Sequence, residues 1–592
     1  MTSPPRVLCR LVVALLVGLL TLTACTGLPT DRSPRPGEAV LGQPRQLVQA
    51  QPDPPVPGAS PQQVVRGFLL ASVGFADGYE VARTHLTEGL SESWVPTDHV
   101  LVLDGEPDYE AVDEGEIEVS ALARGELDGD GLLREFPAET TRAGSFSLTL
   151  VQGEWRIESF PEEFGLWLSA SDFERQFRTA SIGYGAGTQD VLVPDVRYFA
   201  RDDGLPTALA RGVLDPVPDY LAGAVVTAPD DQTELIAGSV PVDAASGVAT
   251  VNLRAPGLGE DPEMMRLLWA QLVYALTQAG GVRSVDLQLN GTPVQVPGLR
   301  SPVASVTDLG YRDVDPAVEV AVLRVREELT PVDATNYALD NLSAARADDL
   351  DLPRPSVRWE ALATNAGLDE FAAISRDHAT LWRWRGDQEV SREEIGTDLS
   401  PPAFDRTGAL WVAGQSATGP RVWVLDRGDP LDAVARRVQT PWLQAGTLVQ
   451  DLRLAPDAQR GVVLLQDESS GRQSVGVVGV VRDRDGTALA LTEPRPVARD
   501  LETVSTVAWA TSTSLAVLGM AAQEEILTPY QVPLNGWIGE LPAESSSQQL
   551  RAVPDGEGAE LFLVTTDGKI FNRSGGGWYS YRNGDALIVP VG

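Results

Sequence analysis

The sequence predicts a multidomain chain in which a short leader precedes two α+β units and a C-terminal all-β propeller. Three observations predict it. At 592 residues the chain exceeds what one hydrophobic core organises. Two stretches, beginning near Ser60 and Asp261, carry helix start signals and a helical apolar period, with short strand-like runs following each. Beyond about Trp359 that period stops, and short apolar strands recur with turn residues between them.

Arg6 and Arg10 make a positive n-region, and Leu11 to Leu22 an apolar stretch of about a dozen residues, the length of a signal peptide. A bilayer span needs about 20, so a permanent transmembrane helix is not expected. The segment closes with Leu22-Thr23-Ala24-Cys25, which resembles a bacterial lipobox. The resemblance implies cleavage of residues 1–24, a diacylglyceryl group on the Cys25 thiol and an acyl group on its new amine. Several acyl chains exceed the two signals that stable anchoring takes. The expected location is the cell membrane, lipid-anchored, on its extracytoplasmic face.

Composition fits that location. The only cysteines are Cys9, inside the leader, and Cys25, so the exported chain has no disulfide framework and relies on core burial. A formal charge of −37 excludes nucleic acid and anionic lipid surfaces as partners of the bulk of the molecule. Nearly all cations are arginine, Lys569 being the lone lysine, and no chemistry is drawn from that.

Residues 25–59, with Pro52, Pro54, Pro55 and Pro57 close together, read as the anchor and an extended linker. The first domain is expected over 60–182. Ser60-Pro61-Gln62-Gln63 supplies an N-cap, a proline at N1 and a capping-box glutamine, and Val64, Val65, Phe68 and Leu69 mark the buried face. Val81 to Leu86 predicts a second helix before Trp94. Strands follow at Val100 to Leu103, Ile117 to Leu122, Phe146 to Leu150 and Trp155 to Ile157, and the pattern is similar to an NTF2-like α+β fold. Phe173, Phe177 and Tyr184 lead out of the domain, and Gly183-Tyr184-Gly185-Ala186-Gly187 reads as an interdomain loop.

The second domain, 190–300, has strands at Val191 to Phe199, Glu234 to Ile236 and Gly247 to Leu253, and Thr207 to Leu214 reads as a helix or an extended connection. A helix starts at Asp261-Pro262-Glu263 and ends at Gly280-Gly281. Val282 to Leu289 follows as a strand, and Asn290-Gly291 is a hairpin signal. The runs 196–199, 249–253, 271–278 and 285–291 together resemble a GerMN domain, an α+β module of sporulation and cell-envelope proteins.

Residues 301–334 read as a connector and 335–592 as the propeller. Corresponding points at Phe371, Ala409, Val462, Leu515 and Leu561 lie roughly 40 to 55 residues apart, the period of a four-stranded blade. Turn residues at 405–408, 456–458, 485–486 and 567–568 sit where hairpins belong. Five or six blades are expected, an irregular pair of β-sandwiches being the alternative.

No catalytic, cofactor or metal site is expected. The histidines are His85, His99 and His378, none spaced for a shared metal. Asp128-Gly129-Asp130-Gly131 and Asp483-Arg484-Asp485-Gly486 look faintly like calcium loops but lack the remaining ligand positions, so turns are expected. Lys569 has no serine three positions away for a Ser–Lys hydrolase. With 83 acidic residues, some carboxylates will approach each other as the pairs of glycoside hydrolysis do, by chance alone.

The order of lipobox, linker, α+β domain, GerMN-like domain and propeller resembles the actinobacterial LpqB lipoprotein family. Val65-Arg66-Gly67-Phe68-Leu69, Ala82-Arg83-Thr84-His85-Leu86-Thr87 with Trp94, and Phe173-Glu174-Arg175-Gln176-Phe177-Arg178-Thr179 fit its pattern. The resemblance implies a non-enzymatic partner of an MtrAB-type two-component system, touching the extracytoplasmic part of an MtrB-like sensor kinase in cell-envelope homeostasis and division. The competing expectation is a carbohydrate- or ligand-binding envelope protein using the propeller funnel. Trp382, Trp384, Trp411, Trp423, Trp442 and Trp509 are candidate interface anchors, with packing inside the blades as the plainer reading.

Overall fold

The computed structural model describes residues 53–590, apart from 75, 138, 188–189, 259–260, 313, 316, 337, 348 and 355–357. The lipobox residues Leu22, Thr23, Ala24 and Cys25 lie outside the described residues, as does the linker up to 52.

The helix Pro61–Ala71 starts as its sequence dictates. Ser60 Oγ accepts from the Gln63 N–H at 3.3 Å while Gln63 Oε1 accepts from the Ser60 N–H at 2.9 Å, closing the capping box. Its buried face is Val64, Val65, Phe68 and Leu69. The expected second helix shrinks to Glu80–Arg83, because Thr84, His85 and Leu86 turn off it with i→i−3 bonds to Val81, Ala82 and Arg83. Strands 154–159, 141–151, 116–127 and 100–103 follow one another across the sheet, and Leu166–Ser169 adds itself parallel to Val100–Leu103. Phe68, Phe146, Phe160, Phe164 and Trp94 fill the space between helix and sheet, with Phe160 and Phe164 centroids 4.6 Å apart.

The second domain corrects one sequence expectation. Gly183 and Gly185 are not in a loop: Phe177–Gly185 is a strand, paired antiparallel with Leu192–Ala200 from Phe177↔Ala200 to Gly185↔Leu192. The glycines serve close packing. A Cβ on Gly183 would stand 2.8 Å from Tyr274 Cδ1, and one on Gly185 3.0 Å from Leu267 Cδ1, both on the helix Pro262–Leu276. That helix begins at Asp261, whose carboxylate accepts from the Glu263 N–H at 3.0 Å. Its Gln271, fully buried, accepts from the Ala228 N–H and donates to the Gly183 carbonyl, so neither end is unsatisfied. Thr207 to Leu214 falls in a second helix, Leu205–Leu214. Val248–Arg254 and Ser284–Leu289 pair in parallel, and Asn290 and Gly291 both take positive φ, 51° and 77°, as a two-residue hairpin turn requires.

From Val320 onward the described residues form six small antiparallel sheets, those of the propeller. The second to sixth occupy residues 359–392, 403–438, 447–497, 501–540 and 547–583 in unbroken succession. The first is assembled from both ends of the domain. Val320–Val325 and Glu328–Asp333, within the expected connector, join the C-terminal strand Ala586–Ile588 through Val322↔Ile588 and Leu323↔Leu587. The stretch 301–334 therefore contributes strands, because Val320, Ala321, Val322 and Leu323 are an apolar run that needs a sheet to bury it.

One turn recurs after the innermost strands. Asn365, Asp405, Asp457 and Asp555 each turn a side-chain oxygen back onto backbone N–H groups a few residues on. Such Asx turns fix the hairpin geometry together with backbone bonds, such as that from the Asp405 N–H to the Ala409 carbonyl at 3.0 Å.

Candidate functional site

Two constructions draw the distant parts of the chain together: a polar seam between the domains and a channel through the propeller. All described domains lie within one compact unit, Pro52–Gly592.

The seam rests on the Asx turns. Asp457 Oδ2 accepts from Arg460 Nε at 2.8 Å and Nη2 at 2.6 Å, and Arg460 then donates to the Pro194 carbonyl of the second domain at 2.9 Å. Both side chains have no solvent exposure, so the pairing compensates charges that would otherwise be very costly. Next to it Asp195 accepts from Arg197 at 2.8 Å, Tyr220 Oη at 2.8 Å and Arg495 at 3.3 Å. Asn535 of the fifth sheet reaches both α+β domains. Its Nδ2 donates to the Gly131 carbonyl at 2.8 Å and the Val196 carbonyl at 3.0 Å, and its Oδ1 accepts from the Leu133 N–H at 2.8 Å. Beside it Glu135 accepts from the Ile538 N–H at 2.9 Å, and burial, then the nearby Asp500 carboxylate, push its pKa up to about 7.

The channel is a cavity of about 450 Å³ lined by the innermost strand of every sheet. Glu360, Gln548 and Asp585 at the starts of those strands, with Gln450 and Ser505 in the first halves of theirs, make one mouth polar. Leu454, Pro456, Ala508, Trp509 and Pro554 stand at their ends. That second end faces the seam, since the turns following it contact Pro194, Val314 and Asp315. Between the mouths lie Asp451, Arg453 and Arg551. Asp451 is buried and accepts from Arg453 Nε at 3.0 Å. Arg551 donates to the Leu587 and Leu550 carbonyls at 3.3 and 3.2 Å and to Gln549 Oε1 at 3.1 Å, all neutral acceptors.

The residues singled out from sequence do not converge. His85 is buried in the first domain, its Nδ1 3.2 Å from the Val81 carbonyl, and burial holds its pKa below the ordinary value. His99 stands 3.7 Å from Glu126, and His378 lies 2.7 Å from the Leu399 carbonyl and 3.5 Å from Glu360 at the channel rim. Among the described residues no three His, Cys, Asp or Glu side chains form a metal-ligand cluster. Asp128 and Asp483 each accept from backbone N–H groups two and four residues on, as turns do. Of the tryptophans, Trp384, Trp411, Trp423 and Trp509 are buried within the sheets, and only Trp509 lines the channel. The channel arginines escaped sequence reasoning. Their signal is an arginine inside an apolar strand, as in Leu452-Arg453-Leu454 and Leu550-Arg551-Ala552.

Comparison with known proteins matches each domain in turn. Residues 54–174 match the family model described as the N-terminal domain of lipoprotein LpqB, 181–295 the "Sporulation and spore germination" (Germane) model, and 352–591 the LpqB β-propeller domain. Lipoprotein LpqB of Thermobifida fusca is 28% identical over 570 residues, covering 87% of this chain and 88% of that one. The Cutibacterium acnes protein of the same name is 26% identical, covering 92% and 93%, and that of Mycolicibacterium smegmatis 25%, covering 86% of each. With the three models matched in domain order and these relatives aligned over most of their length, the chain belongs to the LpqB family of membrane-associated lipoproteins.

Proposed function

We propose that the chain is a lipid-anchored protein of the extracytoplasmic membrane face that serves, without an enzymatic step, as accessory partner of an MtrAB-type sensor kinase in envelope homeostasis and division. Cys25 is the anchor: it follows a leader too short to span a bilayer, and among the described residues no helix is long and apolar enough to cross one. A tether confines the protein to the layer occupied by a sensor's outer domain and raises effective concentration without demanding high intrinsic affinity.

The observation that carries the scaffold reading is Asn535, whose one side chain bonds both α+β domains from the propeller. A body locked this way offers a composite face that need not be ordered on binding, which saves conformational entropy. Crosslinking of the anchored protein in its native envelope tests the proposal. Recovery of a sensor-kinase outer domain supports it; recovery of glycan alone overturns it in favour of a carbohydrate-binding role. That second reading draws its support from the polar groups converging in the propeller channel.

A further inference from the structure

The interior of the propeller channel holds two guanidinium groups and one carboxylate. Arg453 is paired with Asp451, whereas Arg551 has only carbonyl and amide acceptors. The other charged lining groups sit at the polar rim. Glu360 is exposed and pairs with His378, and Asp585 is exposed and accepts from the Arg326 N–H at 2.5 Å. Arg324 donates to the Arg326 and Trp359 carbonyls at 3.2 Å. The middle of the channel thus carries an excess positive charge inside a chain whose net charge is −37. An acidic protein has no general attraction for anions, so a cationic interior is a local, built property.

We propose that the channel is a binding site for a small oxyanion, carboxylate or phosphate, whose charged group is received by Arg551 and Arg453. An Arg fork matches either group in bidentate geometry, and a partly desolvated guanidinium with no carboxylate bonded to it gains most from one. Burial, followed by the neighbouring Arg453, pulls the Arg551 pKa down to about 10 against the opposing attraction of Asp451, so it stays charged at neutral pH with no carboxylate hydrogen-bonded to it among the described residues. The cavity, about 450 Å³, is of a size that encloses a small molecule. Gln548, Gln549, Ser505 and Thr506 offer polar contacts on the way in, and Leu454, Ala508 and Trp509 give an apolar floor at the end facing the seam. The ligand enters from the mouth where the innermost strands begin. The competing role for Arg551 is structural: it donates to Leu587, on the C-terminal strand that completes the first sheet. This site stands apart from the sensor-kinase reading, and either can fail without the other.

The test is calorimetric titration of the full acylated chain in detergent with citrate and, separately, with inorganic phosphate, at constant ionic strength. Saturable binding of one or both is expected, citrate alone indicating a carboxylate ligand and phosphate alone a phosphate ester. Arg551→Gln should weaken binding by about tenfold or more, with Arg551→Lys in between. Asp451→Asn, which keeps Arg551 and frees Arg453 from its internal competitor, should tighten binding several-fold. Absence of saturable binding of both anions to the unaltered chain overturns the proposal. So does binding that neither Arg551→Gln nor Asp451→Asn changes, which would leave Arg551 as a clamp on the closing strand.

Discussion

Arg460 and Pro194 meet across the boundary between propeller and second domain, the guanidinium donating to the carbonyl at 2.9 Å from a position with no solvent exposure. The contact depends on Asp457, the one carboxylate bonded to Arg460 among the described residues. Asp457→Asn keeps the shape and the turn's acceptor but leaves a buried cation uncompensated. The expected cost is about 3 kcal/mol, read by urea unfolding, with earlier loss of the seam in limited proteolysis. A change under about 0.5 kcal/mol would mean the pair does not hold the seam.

Asn535 supplies three bonds to two other domains; the Gly131 carbonyl also accepts from the Tyr198 N–H at 2.8 Å, so the Leu133 N–H and the Val196 carbonyl are the groups that depend on it. Asn535→Ala should cost roughly 2–4 kcal/mol, since each buried group left unpaired is penalised by about 1–3 kcal/mol. Hydrogen exchange gives the sharper reading. The Leu133 amide, now bonded to Asn535, should exchange faster in the variant while the amides of the helix Pro61–Ala71 stay protected.

Glu135 makes the same junction pH-dependent. Its folded pKa of about 7 lies above the ordinary 4.5, so between those values the folded state holds a proton that the unfolded chain has lost. The contribution to stability is complete below about 4.5 and is lost as pH rises through about 7. Glu135→Gln mimics the protonated form and should raise the melting temperature at pH 8 relative to the unaltered chain, with little difference at pH 5. The free-energy difference at pH 8 is about 3 kcal/mol. Equal melting temperatures at pH 8 would show that Asp500 and burial do not act on Glu135 as described.

Gly183 tests the packing of hairpin on helix. A Cβ there would press on the Tyr274 ring at 2.8 Å, so Gly183→Ala should destabilise by about 1–3 kcal/mol, whereas Gly153→Ala, at a positive-φ turn with open space, reports backbone strain alone. Comparable losses in thermal unfolding at both sites would remove the packing explanation.

The sequence was legible where the rule is local. The capping box at Ser60 and Gln63, the Asp261 start of the long helix and the Asn290-Gly291 turn are all written within four residues of themselves, and the structure places each as expected. The propeller period was legible too: Phe371, Val462, Leu515 and Leu561 fall on the second strands of their sheets, and Ala409 immediately precedes one. The first sheet broke the period because its strands come from opposite ends, Val322 pairing with Ile588. Gly183 and Gly185 resembled a loop because glycine marks close approach as well as flexibility. Asp457 is legible as a turn residue; its second role appears only when Arg460 turns back on it and Pro194 arrives from another domain. Arg453 and Arg551 come together only through the circular closure of strands far apart in the chain.

In the proposed function, a lipid on Cys25 holds this body to the membrane. Intact-mass analysis of the chain extracted from the membrane fraction tests it most directly. A mature protein that begins at Cys25 and is heavier than its polypeptide by a diacylglyceryl and an N-acyl group is the predicted result. A chain that begins elsewhere, or begins at Cys25 without added lipid, would contradict it.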